Sequence, residues 1–100
     1  QLPQSRKETA VAIEADLGVG QVDHWRMPLF GEVPAEIRLI GDGDGPLSLT
    51  ITDASGATIC ALPASPEPGF CRFIPARNGF FTVMVRNGGA SESHYRLLGN

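Results

Sequence analysis

Hydrophobic and polar residues alternate most regularly in the middle of the chain, between two turns. Leucine or isoleucine occupies positions 47, 49 and 51, and serine or threonine occupies positions 48, 50 and 52. A turn rich in glycine and aspartate precedes this segment at 41–45, and Asp53-Ala54-Ser55-Gly56 follows it. A period of two is typical of a strand with one buried face. The pattern therefore predicts an antiparallel hairpin whose second strand begins at 57–60.

Similar alternation recurs along most of the chain, with turn residues about every ten positions. In the first of these segments, residues 9–17, alanine and glutamate would also permit a helix, but the Gly18-Val19-Gly20 turn follows too soon for a stable helix. Pro28 lacks an N–H, so its strand is expected at a sheet edge or to end there. Seven to eight short strands predict an all-β fold, an antiparallel, jelly-roll-like β-sandwich. The predicted strands are 9–17, 22–29, 33–40, 47–52, 57–60, 70–75, 80–86 and 93–98.

The segment between the fifth and sixth predicted strands carries Pro63, Pro66 and Pro68 within six residues. Proline fixes its backbone φ and donates no hydrogen bond. We therefore expect the chain after Cys60 to leave the sheet and form a loop.

Length and composition are typical of one globular domain. The chain has 100 residues, of which 42% are hydrophobic and 19% charged, and its net charge is −3. Residues 1–8 are polar and aperiodic, so we expect a flexible N-terminal segment before a single domain at 9–100.

The scattered basic residues argue against nucleic acid as a partner. No apolar run approaches the roughly 20 residues of a membrane span, and QLPQSRKETA lacks the apolar region of a signal peptide, so a signal, if there was one, has been removed.

Cys60 and Cys71 are the two cysteines of the chain. They are expected near facing ends of two strands, where their Cα atoms could come within the roughly 4.4–6.8 Å of a disulfide. We expect this bridge, which favours an oxidising compartment. The alternatives are two buried thiols in a cytosolic protein, or a zinc site with His24 and His94. The chain has no paired-ligand spacing of the C-x₂-C type, which argues against zinc.

From about Asp23 onward, the order of the segments resembles the bacterial pre-peptidase C-terminal domain. That family is a β-sandwich module carried by secreted proteases and other exported proteins. The shared features are an Asp before an aromatic strand, Asp-x-x-Gly after a strand, a Gly-aromatic strand containing Thr-Val-x-Val, and a Tyr followed by Leu in the last strand. In this chain they are Asp23 to Trp25, Asp53 and Gly56, GFFTVMV at 79–85, and Tyr95 and Leu97. The resemblance implies a non-catalytic accessory or binding module, secreted or periplasmic.

Calcium is the cofactor that the resemblance raises. Calcium-binding members have an acidic, Asn-rich entry segment and an Asp-x-Asp pair after the glycine turn, whereas this chain has SRKETAV and PLSLTI there. Asp42 and Asp44 have the D-x-D-G spacing that begins an EF-hand loop and are the metal-ligand candidates. Pro46 and Leu47 occupy positions where that loop needs a polar ligand and a glycine. We therefore interpret the aspartates as turn residues and expect no cofactor.

Catalytic patterns are missing from the sequence. No G-x-S-x-G occurs, and His24 and His94 are both expected on outward faces. A Cys71 and His94 pair is conceivable, but the disulfide would remove its thiol. Carboxylates fall on separate segments. We expect no enzyme activity.

Aromatic residues supply the candidate binding surface. Trp25 and Tyr95 are expected in the core, whereas Phe30 and Phe80 lie beside turns, out of phase with their buried neighbours. An exposed Phe80 near Arg38 or Arg86 would form a platform for a protein or polysaccharide partner. The alternative is a structural or assembly protein that forms homodimers through a sheet edge or face.

Overall fold

A computed structural model describes residues 11–43 and 45–99 of the chain. These residues form eight antiparallel strands and no helix. The strands are β1 (Val11–Leu17), β2 (Val22–Leu29), β3 (Ala35–Gly41), β4 (Leu47–Thr52), β5 (Thr58–Ser65), β6 (Gly69–Phe73), β7 (Gly79–Asn87) and β8 (Ser93–Gly99). The all-β prediction is confirmed. Residues 1–8, predicted to form a flexible segment, lie outside the described residues.

The strands form two four-stranded sheets packed as a sandwich. The first sheet has the order β1-β8-β3-β6 and the second has the order β2-β7-β4-β5. The β4–β5 hairpin stays within one sheet, and every other connection between described strands crosses to the opposite sheet. β2 is an edge strand, as the proline at position 28 predicted.

One core fills the space between the sheets, built from alternate residues of the strands. In β4, Leu47, Leu49 and Ile51 are buried and the residues between them are half-buried, as the alternation predicted. β7 shows the same alternation, with Phe81, Val83 and Val85 buried. The first sheet contributes Leu17, Ala35, Ile37, Leu39, Cys71, Tyr95 and Leu97, and the second also contributes Met27 and Leu29.

A disulfide joins Cys60 of β5 to Cys71 of β6, with 6.3 Å between their Cα atoms. Because β5 and β6 are edge strands of different sheets, the bridge links the two layers along one side of the sandwich. The expected pairing is confirmed.

The expectation that the chain leaves the sheet after Cys60 is wrong. β5 continues to Ser65, and its pairing with β4 shifts between Leu62 opposite Leu49 and Ser65 opposite Leu47. Pro63 and Ala64 lie in this bulge, where the ladder is interrupted. β5 is also an edge strand, so a missing N–H costs little there.

Candidate functional site

Four exposed hydrophobic side chains mark one end of the sandwich, which we call the apolar end. They are Phe30, Ile59, Ile74 and Phe80, with exposed fractions of 43%, 38%, 64% and 51%. Phe30 follows β2, Ile74 follows β6, Ile59 lies at the start of β5 and Phe80 at the start of β7. Large apolar side chains clustered on a surface are typical of interaction sites.

Two concave regions share this end. A cleft of about 510 Å³ lies between the β4–β5 turn, the β6–β7 loop and the first residues of β7, with Ile59, Ile74 and Phe80 in its lining. A groove of about 310 Å³ lies between Phe30 and Phe80. Phe80 borders both regions, so the cleft and the groove form a continuous surface around it.

The β2–β3 and β6–β7 loops are fixed to each other. The Glu32 N–H donates to the Pro75 carbonyl at 2.7 Å, and the Gly31 N–H donates to Asn78 Oδ1 at 2.7 Å. A Cβ on Gly31 would come within 2.5 Å of the Arg77 Cα, so only glycine permits this approach. These contacts hold the backbone next to Phe30 and Ile74 in place before any partner binds.

The β4–β5 turn forms the opposite wall of the cleft. Asp53 Oδ1 accepts hydrogen bonds from the Ser55 N–H, the Ser55 hydroxyl and the Ala57 N–H. The hydrogen bond from the Ser55 hydroxyl is the largest cause of a pKa for Asp53 below its ordinary value. Gly56 has φ of 92°, which the turn requires. The Asp53 carboxylate therefore stabilises the β4–β5 turn.

The structure places the predicted site residues in three regions. Phe30 and Phe80 are exposed, as predicted, and the structure also brings both to the groove. Arg38 lies on the first sheet, 5.9 Å above the ring of Phe70 and 3.2 Å from Glu36. Arg86 lies on the outer face of β7, six residues and about 20 Å along the strand from Phe80.

The arginine beside Phe80 is Arg26, whereas the sequence had suggested Arg38 or Arg86. Its guanidinium lies 4.5 Å from the centre of the Phe80 ring. Pro28 is opposite Phe80 in the β2–β7 pairing, and Arg26 is two residues from Pro28 on the same face. The contact between Arg26 and Phe80 depends on which residues of β2 and β7 lie opposite each other, and the sequence around Arg26 does not indicate this register. The exposure of Ile59 and Ile74 was also not predicted.

Trp25 and Tyr95 contribute to the core rather than to the surface. Tyr95 is fully buried and Trp25 is half-buried, packed against the core. The Trp25 indole N–H donates to the Tyr95 hydroxyl at 2.8 Å, and that hydroxyl donates to Asp23 at 2.6 Å. Burial raises the pKa of Tyr95, which stays protonated and bridges the two sheets.

Both histidines are exposed, as predicted. His94 Nδ1 lies 2.7 Å from Asp16 Oδ1, and this hydrogen bond raises the pKa of His94. The His94 backbone N–H donates to the carboxylate of Asp42 at 3.1 Å. Asp44, the other metal-ligand candidate, lies outside the described residues. Within 11–43 and 45–99, no group of three His, Cys, Asp or Glu side chains is placed to hold a metal ion.

In the part of the chain that the structure describes, no helix has the length and hydrophobicity needed to cross a membrane.

No protein-family model matches the chain, and a search of curated proteins found no match in sequence. Solved structures do match. The pre-peptidase C-terminal domain of collagenase from Bacillus anthracis has a TM-score of 0.75 at 14% identity, covering 90% of this chain and 88% of that one. PliG of Aeromonas hydrophila, a periplasmic inhibitor of g-type lysozyme, has a TM-score of 0.68 at 8% identity, covering 92% and 85%. The mitogen YPM of Yersinia pseudotuberculosis has a TM-score of 0.61 at 10% identity, covering 91% and 84%.

These TM-scores establish similarity of fold, and at identities of 8–14% they establish nothing beyond the fold. The chain has the fold of a pre-peptidase C-terminal domain, as the order of its segments suggested. The same architecture occurs in small β-domains with different roles, so the fold leaves the role of this chain to be argued from its surface.

Proposed function

We propose that the protein is a non-catalytic accessory module of an exported protein, and that it binds a protein or polysaccharide partner through the apolar end. The observation that carries this proposal is the continuous surface around Phe80. Four exposed hydrophobic side chains there surround a cleft and a groove between loops that are already fixed. An apolar, concave and preorganised surface is the usual form of a binding site.

Export is the setting that the disulfide favours, because disulfides persist in oxidising compartments. Of the proteins with a similar fold, one is a domain of a collagenase and another is a periplasmic inhibitor, which supports a secreted or periplasmic location for this chain. Neither is described by its name as a catalytic domain, in keeping with a non-enzymatic role for this chain.

A retention assay on defined ligands tests the proposal. The purified domain is passed over insoluble cellulose, chitin, xylan and peptidoglycan, and over immobilised casein and gelatin. We expect retention by at least one ligand and loss of retention in the variant Phe30→Ser/Phe80→Ser. Truncation of an aromatic anchor at an interface costs about 2 kcal/mol or more, so retention should fall at least tenfold.

The matched control is Phe70→Ser, which removes a phenylalanine of similar exposure from the outer face of the first sheet. This variant should be retained like the wild type. A domain that none of the six ligands retains, or a double variant retained like Phe70→Ser, would overturn the proposal.

The second candidate function is assembly through a sheet edge. β1 and β2 are edge strands of their sheets, and neither is covered by another described strand. Unpaired edges can join two copies of a chain. Sedimentation equilibrium distinguishes the candidates, because edge assembly requires a mass that rises with protein concentration, whereas the binding module stays monomeric.

A further inference from the structure

Among the described residues, the strands of the second sheet carry basic side chains on their outer face and no acidic side chain beside them. His24, Arg26 and Arg86 point outward from β2 and β7, and the other outward residues of β2, β4 and β7 are uncharged. β5 contains no acidic residue, and Asp23 lies in the inward phase, where it accepts the Tyr95 hydroxyl. Arg26 and Arg86 therefore present positive charge without an acidic partner on the described strands of this sheet, in a chain whose net charge is −3.

The outer face of the first sheet is arranged differently. Arg38 lies 3.2 Å from Glu36, Arg96 lies 3.6 Å from Glu14, and His94 lies 2.7 Å from Asp16. Three of the four basic side chains on its described strands therefore lie beside an acidic side chain, and the fourth, Arg72, is opposite Glu36 in the β3–β6 pairing. The contrast between the faces indicates that a negative group from outside the described chain would complement the second sheet.

β2 also exposes backbone hydrogen-bonding groups. The Asn87 N–H donates to the Gln21 carbonyl at 3.1 Å, and antiparallel ladders alternate their hydrogen bonds along the strand. With Val22 opposite Arg86, positions 23, 25 and 27 therefore bond to β7. The N–H and C=O groups of Val22, His24 and Arg26 point to the open edge. Pro28 is in the same phase, so its missing N–H costs no bond to β7 and limits the donors of the open edge to positions 22, 24 and 26.

His24 and Arg26 thus offer an open backbone and a basic side chain at the same positions. They are two residues apart, about 7 Å along the strand. In an extended peptide, alternate side chains have this same spacing and face one side. A segment with carboxylates at alternate positions could pair with the backbone of β2 and place one carboxylate opposite each basic residue.

The other edges are less suited to this pairing. β5 contains Pro63 in a bulge and is joined to β6 by the disulfide, and β6 has five residues. β1 carries Glu14 and Asp16 on its outer face, which would repel an acidic segment.

We propose that the open edge of β2 binds an extended acidic segment of a partner polypeptide, which adds to the second sheet as a further strand. This inference goes beyond the proposed function, since it assigns a second binding surface and the chemistry of its partner. Strand addition supplies affinity through main-chain hydrogen bonds, and the side chains supply selectivity. The alternating carboxylates supply that selectivity here.

A synthetic peptide with Glu at every second position and Thr between is the probe. Its Kd is measured by fluorescence anisotropy at low and at physiological salt, beside a peptide of the same composition with its Glu residues in one block. We expect the alternating peptide to bind more tightly and its affinity to fall with salt. Hydrogen exchange should slow at the amides of His24 and Arg26 when it binds.

Arg26→Glu should weaken the alternating peptide about tenfold, because it replaces an attraction by a repulsion across the strands. The matched control is Arg38→Glu, since Arg38 also lies over a phenylalanine but on the first sheet. This variant should bind the peptide like the wild type.

Equal affinity for the two peptides, equal effects of the two arginine variants, or unprotected amides at positions 24 and 26 would overturn the inference. Polygalacturonate binding as tightly as the alternating peptide would show that the face attracts anions without strand pairing. Slow exchange of those amides in a dimer without peptide would show that a second copy occupies the edge. The retention assay for Phe30 and Phe80 can succeed or fail independently of these outcomes.

Discussion

Asn87 is a buried polar residue at the end of β7, and its side chain connects three parts of the fold. Its Nδ2 group donates to the carbonyls of Leu17 and Ser91, both at 2.9 Å, and its Oδ1 accepts the Gly89 N–H at 2.8 Å. In the sequence, Asn87-Gly88-Gly89 predicts only the end of a strand. The amide also fixes the end of β1 and the β7–β8 turn, because a buried amide must find partners.

Asn87→Ala should lower the free energy of unfolding by about 2–4 kcal/mol, since it leaves the Leu17 carbonyl and the Gly89 N–H without their partner. The measurement is urea denaturation followed by circular dichroism. The control is Asn78→Ala, which removes one exposed hydrogen bond to Gly31 and should cost about 1 kcal/mol or less. Equal losses in the two variants would contradict the role of burial.

The exposure of Phe30 and Phe80 could be predicted because it follows from their phase relative to buried neighbours and turns. The contact between Arg26 and Phe80 could not. It depends on which residue of β2 lies opposite which residue of β7, and a shift of register would change that neighbour without altering the alternation within either strand. Ile59 was missed for a related reason. A bulge between Ile51 and Thr52 shifts the pairing of β4 and β5, and the phase of Ile59 depends on it.

At the scale of elements, the alternation predicted where most strands lie, whereas the prolines after Cys60 led to the wrong prediction of a loop in β5. β2 and β4 have the predicted bounds, β8 ends one residue later than predicted, and β7 is one residue longer at each end. Proline excludes a central strand, but β5 is at an edge and Pro63 falls in its bulge. Edge position is a property of the sheet, so the local sequence could not reveal it.

The Cys60–Cys71 disulfide closes a connection of sequence separation 11 between two edge strands. Cys60→Ala/Cys71→Ala should lower the free energy of unfolding by about 3 kcal/mol, because the open chain gains conformational entropy when unfolded. Alanine avoids placing a hydroxyl at the buried position 71. The measurement is urea denaturation with and without a reducing agent.

Reduction should lower the midpoint of the wild type toward that of the double alanine variant and leave the variant unchanged. A wild type insensitive to complete reduction would show that the bridge adds no stability.

At the scale of the whole molecule, the two sheets depend on a single core. The chain passes between the sheets at nearly every connection, so neither sheet consists of a continuous stretch of sequence. The hydrogen bonds from Trp25 to Tyr95 and from Tyr95 to Asp23 also cross between the layers. The number of strands and their inward residues could be predicted from alternation. The order of the strands could not, because it depends on contacts between distant segments.

Leu97→Ala tests whether the sheets unfold together. Leu97 is fully buried in β8 of the first sheet, so its truncation should cost about 2–5 kcal/mol. Trp25, the single tryptophan, lies in the second sheet and reports on contact between the layers through its fluorescence. With one shared core, the fluorescence and circular dichroism transitions should coincide in the wild type and shift equally in the variant. The adjacent Leu98→Ala, on the outer face, should shift both only slightly. Separate transitions for the two probes would mean that each sheet has its own stability.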